Sequence, residues 1–209
     1  MLHIYLTRHG ETEWNKENRL QGWRDSNLTE KGINNALKLG ERLNETSFNA
    51  IYSSPSGRAF QTAKYVRLER DIPIITDKDL REIFLGEWEG KTREEIEADY
   101  KTEYFHFWNA PEVYDHEPHQ AEGLVDFKKR VEGAVRRVIE DNPSGNILIV
   151  THAVVIKAII SYVKDVPTEK MWDPPFIHGT SLSLFNWDGE KFEVQLLGDT
   201  SHMEVGQGA

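Results

Sequence analysis

The sequence predicts an α/β fold, a three-layer sandwich whose mainly parallel central sheet is flanked by helices. Three observations lead there. Short apolar runs that read as buried strands alternate with segments of helical periodicity. Polar or turn residues bound each run, as strand–helix connections require. Near the end, Asp188-Gly189 between two apolar segments reads as a hairpin, which adds an antiparallel member.

The first strand reads at 4–6. Ile33, Ala36, Leu37, Gly40 and Leu43 then recur on one helix face. A second strand is expected at 50–52. Ser54-Pro55 after it reads as an N-cap with proline at the first helical position. A third strand follows at 72–75, and Thr92 with Glu95 makes a capping box. Leu124, Phe127, Val131, Ala134, Val135, Val138 and Ile139 form a second amphipathic face. The run 147–150 is the fourth strand, with a helix opening at Thr151-His152-Ala153, and 182–185 pairs with 192–196 in the hairpin. Residues 100–122 break the alternation, carrying Tyr100, Tyr104, Phe105, Phe107, Trp108 and Tyr114 between prolines and charges. They read as a lid-like insertion over a site, or as an irregular excursion packing its aromatics on the core. The short tail from Gly198 is expected to fray at its end.

The length of 209 residues favours a single domain spanning 1–209. With 25 basic and 35 acidic residues the formal charge is −10, which argues against nucleic acid as a partner because phosphate neutralisation needs a basic surface. No cysteine is present, so disulfide scaffolds, thiolate nucleophiles, zinc ribbons and iron–sulfur clusters are excluded. The longest apolar runs are far short of the ~20 residues that span a bilayer, so no membrane association is expected. The N-terminus carries no basic segment or apolar leader, and a cytoplasmic protein, monomer or homodimer, is the expectation.

In open α/β sheets ligands bind beyond the carboxyl ends of the strands. Those ends carry Arg8 and His9, then Arg58, then Arg81 and Glu82, then His152. The set suits phosphoryl transfer. Guanidiniums offer planar donors to a phosphate dianion, and a helix N-terminus after His152 adds backbone N–H groups. A neutral imidazole can attack phosphorus, and a carboxyl can protonate a departing alkoxide and then activate water.

Residues 6–15, Leu-Thr-Arg-His-Gly-Glu-Thr-Glu-Trp-Asn, resemble the signature of the histidine phosphatase superfamily, in its phosphoglycerate-mutase-like branch. The resemblance continues in order through 21–29, 53–59, 80–83 and 150–152, so it spans essentially the whole chain. Trp88-Glu89-Gly90 and the run to Phe107-Trp108 look most like broad-specificity phosphatases of the PhoE type. The resemblance implies His9 as the nucleophile that becomes phosphohistidine, and Arg8, Arg58 and His152 as the phosphate pocket. It implies Glu82 as proton donor and acceptor, and Asn15, Gln21 and Gly22 as positions that meet phosphate or substrate. Ala153 stands where many members have glycine. No metal and no cofactor is implied, and the partners would be small-molecule phosphate monoesters.

Mutases of the family carry Arg and Lys in the lid, where they hold a second anion. Residues 100–122 have one basic residue, Lys101, against Glu103, Glu112, Asp115, Glu117 and Glu122. A negative lid would repel a second carboxylate or phosphate, so a phosphomonoester hydrolase acting through phosphohistidine is expected over a cofactor-dependent phosphoglycerate mutase. A catalytically silent binding domain on the same fold is disfavoured, because His9, Glu82 and His152 are all present. His116 and His119 beside Asp115 and Glu117 could suggest a metal, but their spacing lacks a helix or strand context and a solvated loop is the plainer reading.

Overall fold

The computed structural model describes residues 1–203. Its six strands are β1 (Leu2–Arg8), β2 (Ala50–Ser53), β3 (Ile74–Thr76), β4 (Gly145–Thr151), β5 (Leu182–Trp187) and β6 (Phe192–Asp199). They form one sheet in the order β3-β2-β4-β1-β5-β6. The β3, β2, β4 and β1 neighbours run parallel, while β5 and β6 pair antiparallel. The helices are α1 (Glu13–Lys16), α2 (Glu30–Arg42), α3 (Gly57–Arg67), α4 (Arg93–Asn109), α5 (Leu124–Asp141) and α6 (Ala153–Lys164). This is the expected α/β architecture.

Strand β4 shows why its apolar run is unbroken. Ile147 and Ile149 pack into a core with α5, α6, Trp88 and Phe107, while Leu148 and Val150 pack into a second core with α2 and α3. Successive side chains point to opposite faces, and both faces are covered, so no position is left for a polar residue. Parallel register then pairs Arg8 with Thr151, so the chain leaves β1 and β4 side by side.

Four expectations change. Strand β3 begins at Ile74 rather than 72, because Pro73 has no N–H for the ladder, and as an edge strand it leaves Ile75 44% exposed. Helix α3 starts at Gly57 with Ser56 as N-cap, so Ser54-Pro55 precedes the helix; the Ser54 hydroxyl is engaged by His152 instead. The first half of 100–122 is helical: α4 runs to Asn109 with a kink at Tyr100, and 3-10 turns at Pro111–Val113 and Glu117–His119 follow. Tyr100, Tyr104, Phe107 and Trp108 stand at helical spacing, and all four pack against the core. Finally, β6 runs past the expected end at 196 to Asp199; the fraying expected at the end of the tail lies at 204–209, outside the described residues.

His119 is a packing residue. Its ring stacks on fully buried Trp88, 3.9 Å between centroids and 5° from parallel, and the Tyr114 hydroxyl lies 2.7 Å from its Nε2. His116 Nδ1 reaches the Ala121 carbonyl. Both rings thus tie the lid to itself and to Trp88.

Candidate active site

Because Arg8 and Thr151 are register partners, the residues after them emerge together. The His9 and His152 rings meet edge to face with centroids 5.3 Å apart. His9 anchors by its backbone N–H to the Thr151 carbonyl. Its Nδ1 lies 2.7 Å from the Gly10 carbonyl, which can only accept, so Nδ1 carries the hydrogen and Nε2 keeps its lone pair. Burial, then the Arg58 and Arg8 charges, hold the imidazole well below its ordinary pKa, hence neutral. The turn is tight: Gly10 N–H donates to the Thr62 hydroxyl, and a Cβ at Gly10 would lie 2.6 Å from the Gly32 carbonyl oxygen.

Arg58, on the first turn of α3 and 2% exposed, donates from Nε to His9 Nε2 at 3.2 Å. Its Nη1 reaches the Arg24 carbonyl at 2.7 Å and Asp25 at 2.9 Å, and Nη2 reaches the Gly22 carbonyl at 2.8 Å. The Gly22 loop is therefore what aims this guanidinium. Gly22 sits at φ +54, and the buried Glu89 carboxylate lies where its Cβ would be. That carboxylate accepts from the N–H groups of Trp23, Arg24 and Leu85. Arg8 donates Nη1 to the Ile177 carbonyl at 2.8 Å and leaves a buried Nε with no protein partner.

Glu82 lies in the segment after β3. Its carboxylate accepts from Ile83 N–H at 3.0 Å and from Val154 N–H, in the first turn of α6, at 3.2 Å. Burial raises its pKa; those two hydrogen bonds and the Arg58 and Arg8 charges pull the other way and do not overcome it. His152, the N-cap of α6, lies fully buried behind the site with Nε2 on the Ser54 hydroxyl at 2.8 Å and Nδ1 without a protein partner. Burial and the neighbouring cations depress its pKa as well.

A cavity of about 480 Å³ opens over these groups. Arg8, His9, Arg58 and Glu82 line it, as do Asn15, Gln21, Gly22 and Ala153. The Asn15 Oδ1 accepts from the Thr12 N–H and hydroxyl, capping α1. Gln21 Oε1 is buried without a hydrogen-bond partner among the described residues. The sequence motifs do not single out Lys157, Arg19, Trp172 or Phe176, which also line the cavity. Lys157 carries a signal, being the one charge in the apolar run of α6; its Nζ donates to the Pro175 carbonyl at 2.7 Å and to that of Asp173. Trp172 carries none.

The lid corrects the charge argument. None of its five carboxylates lines the cavity; it contributes Phe107 and Trp108 instead. Glu122 pairs with Arg130 at 2.7 Å, and Asp115 accepts from the Glu117 N–H. Away from His9 the lining combines the aromatics Phe107, Trp108, Trp172 and Phe176 with Arg19 and Lys157, and Glu82 is the cavity's one carboxylate among the described residues.

The model of the histidine phosphatase superfamily (branch 1) matches residues 4–200. The chain is 32% identical over 204 residues to phosphoglycerate mutase-like protein 4 of Arabidopsis thaliana, covering 96% of this chain and 86% of that protein. Among solved structures it is similar to YhfR of Bacillus stearothermophilus, with 46% identity, a TM-score of 0.94 and coverage of 98% and 100%. The alpha-ribazole phosphatase of Shigella flexneri superposes with a TM-score of 0.86 at 28% identity, covering 95% and 96%. A phosphoserine phosphatase of Entamoeba histolytica, in complex with 3-phosphoglyceric acid, gives 0.86 at 26%, covering 97% and 100%. With a neutral histidine between two arginines at the carboxyl end of a parallel sheet, and a family model matched over nearly its whole length, this chain belongs to the histidine phosphatase superfamily, in its phosphoglycerate mutase-like branch.

Proposed function

We propose that the chain is a phosphomonoester hydrolase of broad specificity that works through a phosphohistidine on His9, with no metal or cofactor. One observation carries this reading: His9 presents an unprotonated Nε2, fixed by the Gly10 carbonyl, beside Arg58 and in one cavity with Arg8 and Glu82. In the first step Nε2 donates its lone pair to phosphorus and the P–O bond to the leaving group breaks. Glu82, whose pKa burial raises, gives its proton to the departing alkoxide. In the second step the Glu82 carboxylate takes a proton from water, the water oxygen bonds to phosphorus, and the P–N bond breaks to release phosphate. Arg8, Arg58 and the α6 N-terminus offset the charge of the transferring group, and neutral His152 helps to stabilise it as a hydrogen-bonding group. Asn15, Gln21 and Gly22 border the substrate.

Breadth is supported by the wall. Phe107, Trp108, Trp172 and Phe176 offer surface rather than directional partners, so they discriminate weakly among apolar leaving groups. Substrates are then small phosphate monoesters, acted on by a cytoplasmic monomer or homodimer. Mutase activity is the second reading, favoured by the mutase-like relative and by Arg19 and Lys157 on the cavity wall.

The test is a phosphomonoester panel that includes 3-phosphoglycerate, run with and without 2,3-bisphosphoglycerate, on the wild type and His9→Ala. Free phosphate from several esters, lost in His9→Ala and unaffected by EDTA, is expected. Bisphosphate-dependent 2-phosphoglycerate as the main product would establish the mutase instead. Retained hydrolysis in His9→Ala would remove the nucleophile.

A further inference from the structure

Glu82 itself lies in no helix or strand. It lies between 3-10 turns at Lys78–Leu80 and Gly86–Trp88, yet a proton donor has to be placed to within about an ångström of the leaving oxygen. The N–H groups of Ile83 and Val154 hold its carboxylate, and the backbone beneath it is fastened from α5. Arg130 donates from Nη1 to the carbonyls of Asp79 at 2.8 Å and Arg81 at 3.0 Å, and from Nη2 to the carbonyl of Glu82 itself at 3.3 Å. The same guanidinium meets Glu122, with Nε at 2.8 Å from one oxygen and Nη2 at 2.7 Å from the other. Glu122 continues the connection, its Oε2 accepting from Phe84 N–H at 3.2 Å and its N–H donating to the Phe84 carbonyl at 2.9 Å. One ion pair thus fastens Asp79, Arg81, Glu82 and Phe84.

The residue type matters. A guanidinium spreads five N–H donors over a rigid plane and can serve three carbonyls and a carboxylate together. An ammonium has three donors at one point and would abandon part of the set. The Glu82 carbonyl would keep the Trp23 indole N–H at 2.9 Å, but those of Asp79 and Arg81 would lose their side-chain donor and rotate toward other partners, because an unsatisfied buried acceptor is costly. The carboxyl of Glu82 would turn with them.

We propose that Arg130, together with Glu122, is a positioning residue that sets the place from which Glu82 delivers and recovers its proton. The inference rests on the reading of Glu82 as proton donor given above. A merely structural role would weaken the fold and slow every substrate alike. A positioning role slows those substrates whose leaving group needs the proton.

The experiment compares kcat/KM for glycerol phosphate, an alkyl ester, and 4-nitrophenyl phosphate, an aryl ester, in the wild type, Arg130→Met, Arg130→Lys, Glu122→Gln and Glu82→Gln. General acid catalysis is worth ~10²–10⁴-fold, so a misplaced acid should cost the alkyl ester about tenfold or more. Nitrophenolate leaves without protonation, so its kcat/KM should fall less than about threefold. Because Glu82 also activates the water, the variants should release a larger burst of nitrophenol as phosphoenzyme accumulates. Equal losses on both esters in the Arg130 variants, with a selective loss in Glu82→Gln, would overturn the positioning role and leave the proton donor standing. Equal losses in Glu82→Gln as well would overturn both. If Arg130→Met does not fold, Arg130→Lys, which keeps the charge beside Glu122, carries the same comparison and is read in the same way.

Discussion

Mild acid should destabilise this protein before its surface carboxylates titrate. His9, His152 and His119 are all buried, and all are held below the ordinary histidine pKa chiefly by burial, His119 to about 4. In the unfolded chain they titrate near 6.5, so between about pH 7.5 and about pH 5.5 the unfolded state gains protons that the folded state refuses. A depressed histidine pKa therefore removes stability as pH falls through 6.5, by ~1.4 kcal/mol per residue over this window and ~4 kcal/mol for the three. Glu82 works the other way. Its folded pKa is raised, so the folded state takes up the extra proton on acidification, which offsets at most ~2.7 kcal/mol over two pH units. His202, half-buried beside Arg42 and also lowered to about 4, adds to the loss. For His9, His152, His119 and Glu82 together, before the His202 contribution is added, the net expectation is a loss between about 1.4 and about 4 kcal/mol, read from urea unfolding at the two pH values. Glu82→Gln removes the opposing contribution and should push the loss to the upper end. A protein equally stable, or more stable, at the lower pH would refute the assignment of neutral buried imidazoles.

Two further substitutions test the scaffold around the site. Gly22→Ala places a side chain at φ +54 and into the Glu89 carboxylate, so ~1–2 kcal/mol of backbone strain plus displaced hydrogen bonds are expected. KM for a phosphate ester should rise as Arg58 loses its aim; an unchanged KM and an unchanged urea midpoint would contradict the role of the loop. Trp88→Ala empties the space between His119, Phe107 and Tyr104 and should cost about 3–5 kcal/mol by urea unfolding, against less than about 1 kcal/mol if the lid were loosely attached.

The parts of the site that are legible in the sequence are those fixed by strand order. Arg8, His9 and His152 follow apolar runs whose register pairs them, and runs that long in β4 imply burial on both faces. Arg130 is illegible for a physical reason. It sits among Lys128, Lys129, Arg136 and Arg137 on an amphipathic helix, where basic residues ordinarily mean a solvated face, and only the packing of α5 against 79–82 sets it apart. The lid shows the converse. Its composition is acidic, but net charge carries no direction, and on α4 it is Phe107 and Trp108 that turn toward the cavity while the carboxylates do not. Ser54 misleads because an N-cap and a hydrogen-bond partner for a buried imidazole need the same hydroxyl.

The bond from His9 Nδ1 to the Gly10 carbonyl has a consequence for how long an intermediate survives. In a triad the acceptor is a side chain and a single substitution can flip the imidazole. Here the acceptor is the peptide of the next residue, so the tautomer belongs to the turn itself and no side-chain replacement elsewhere deletes it. A ring phosphorylated on Nε2 that retains its Nδ1 hydrogen is cationic. Positive charge in the ring draws electrons out of the P–N bond, and the carbonyl dipole steadies that charge from the far side. On the proposed mechanism, the contact that readies the nitrogen to attack phosphorus would also ready it to let go, and the short life of the phosphoenzyme would lie in the geometry of two adjacent residues.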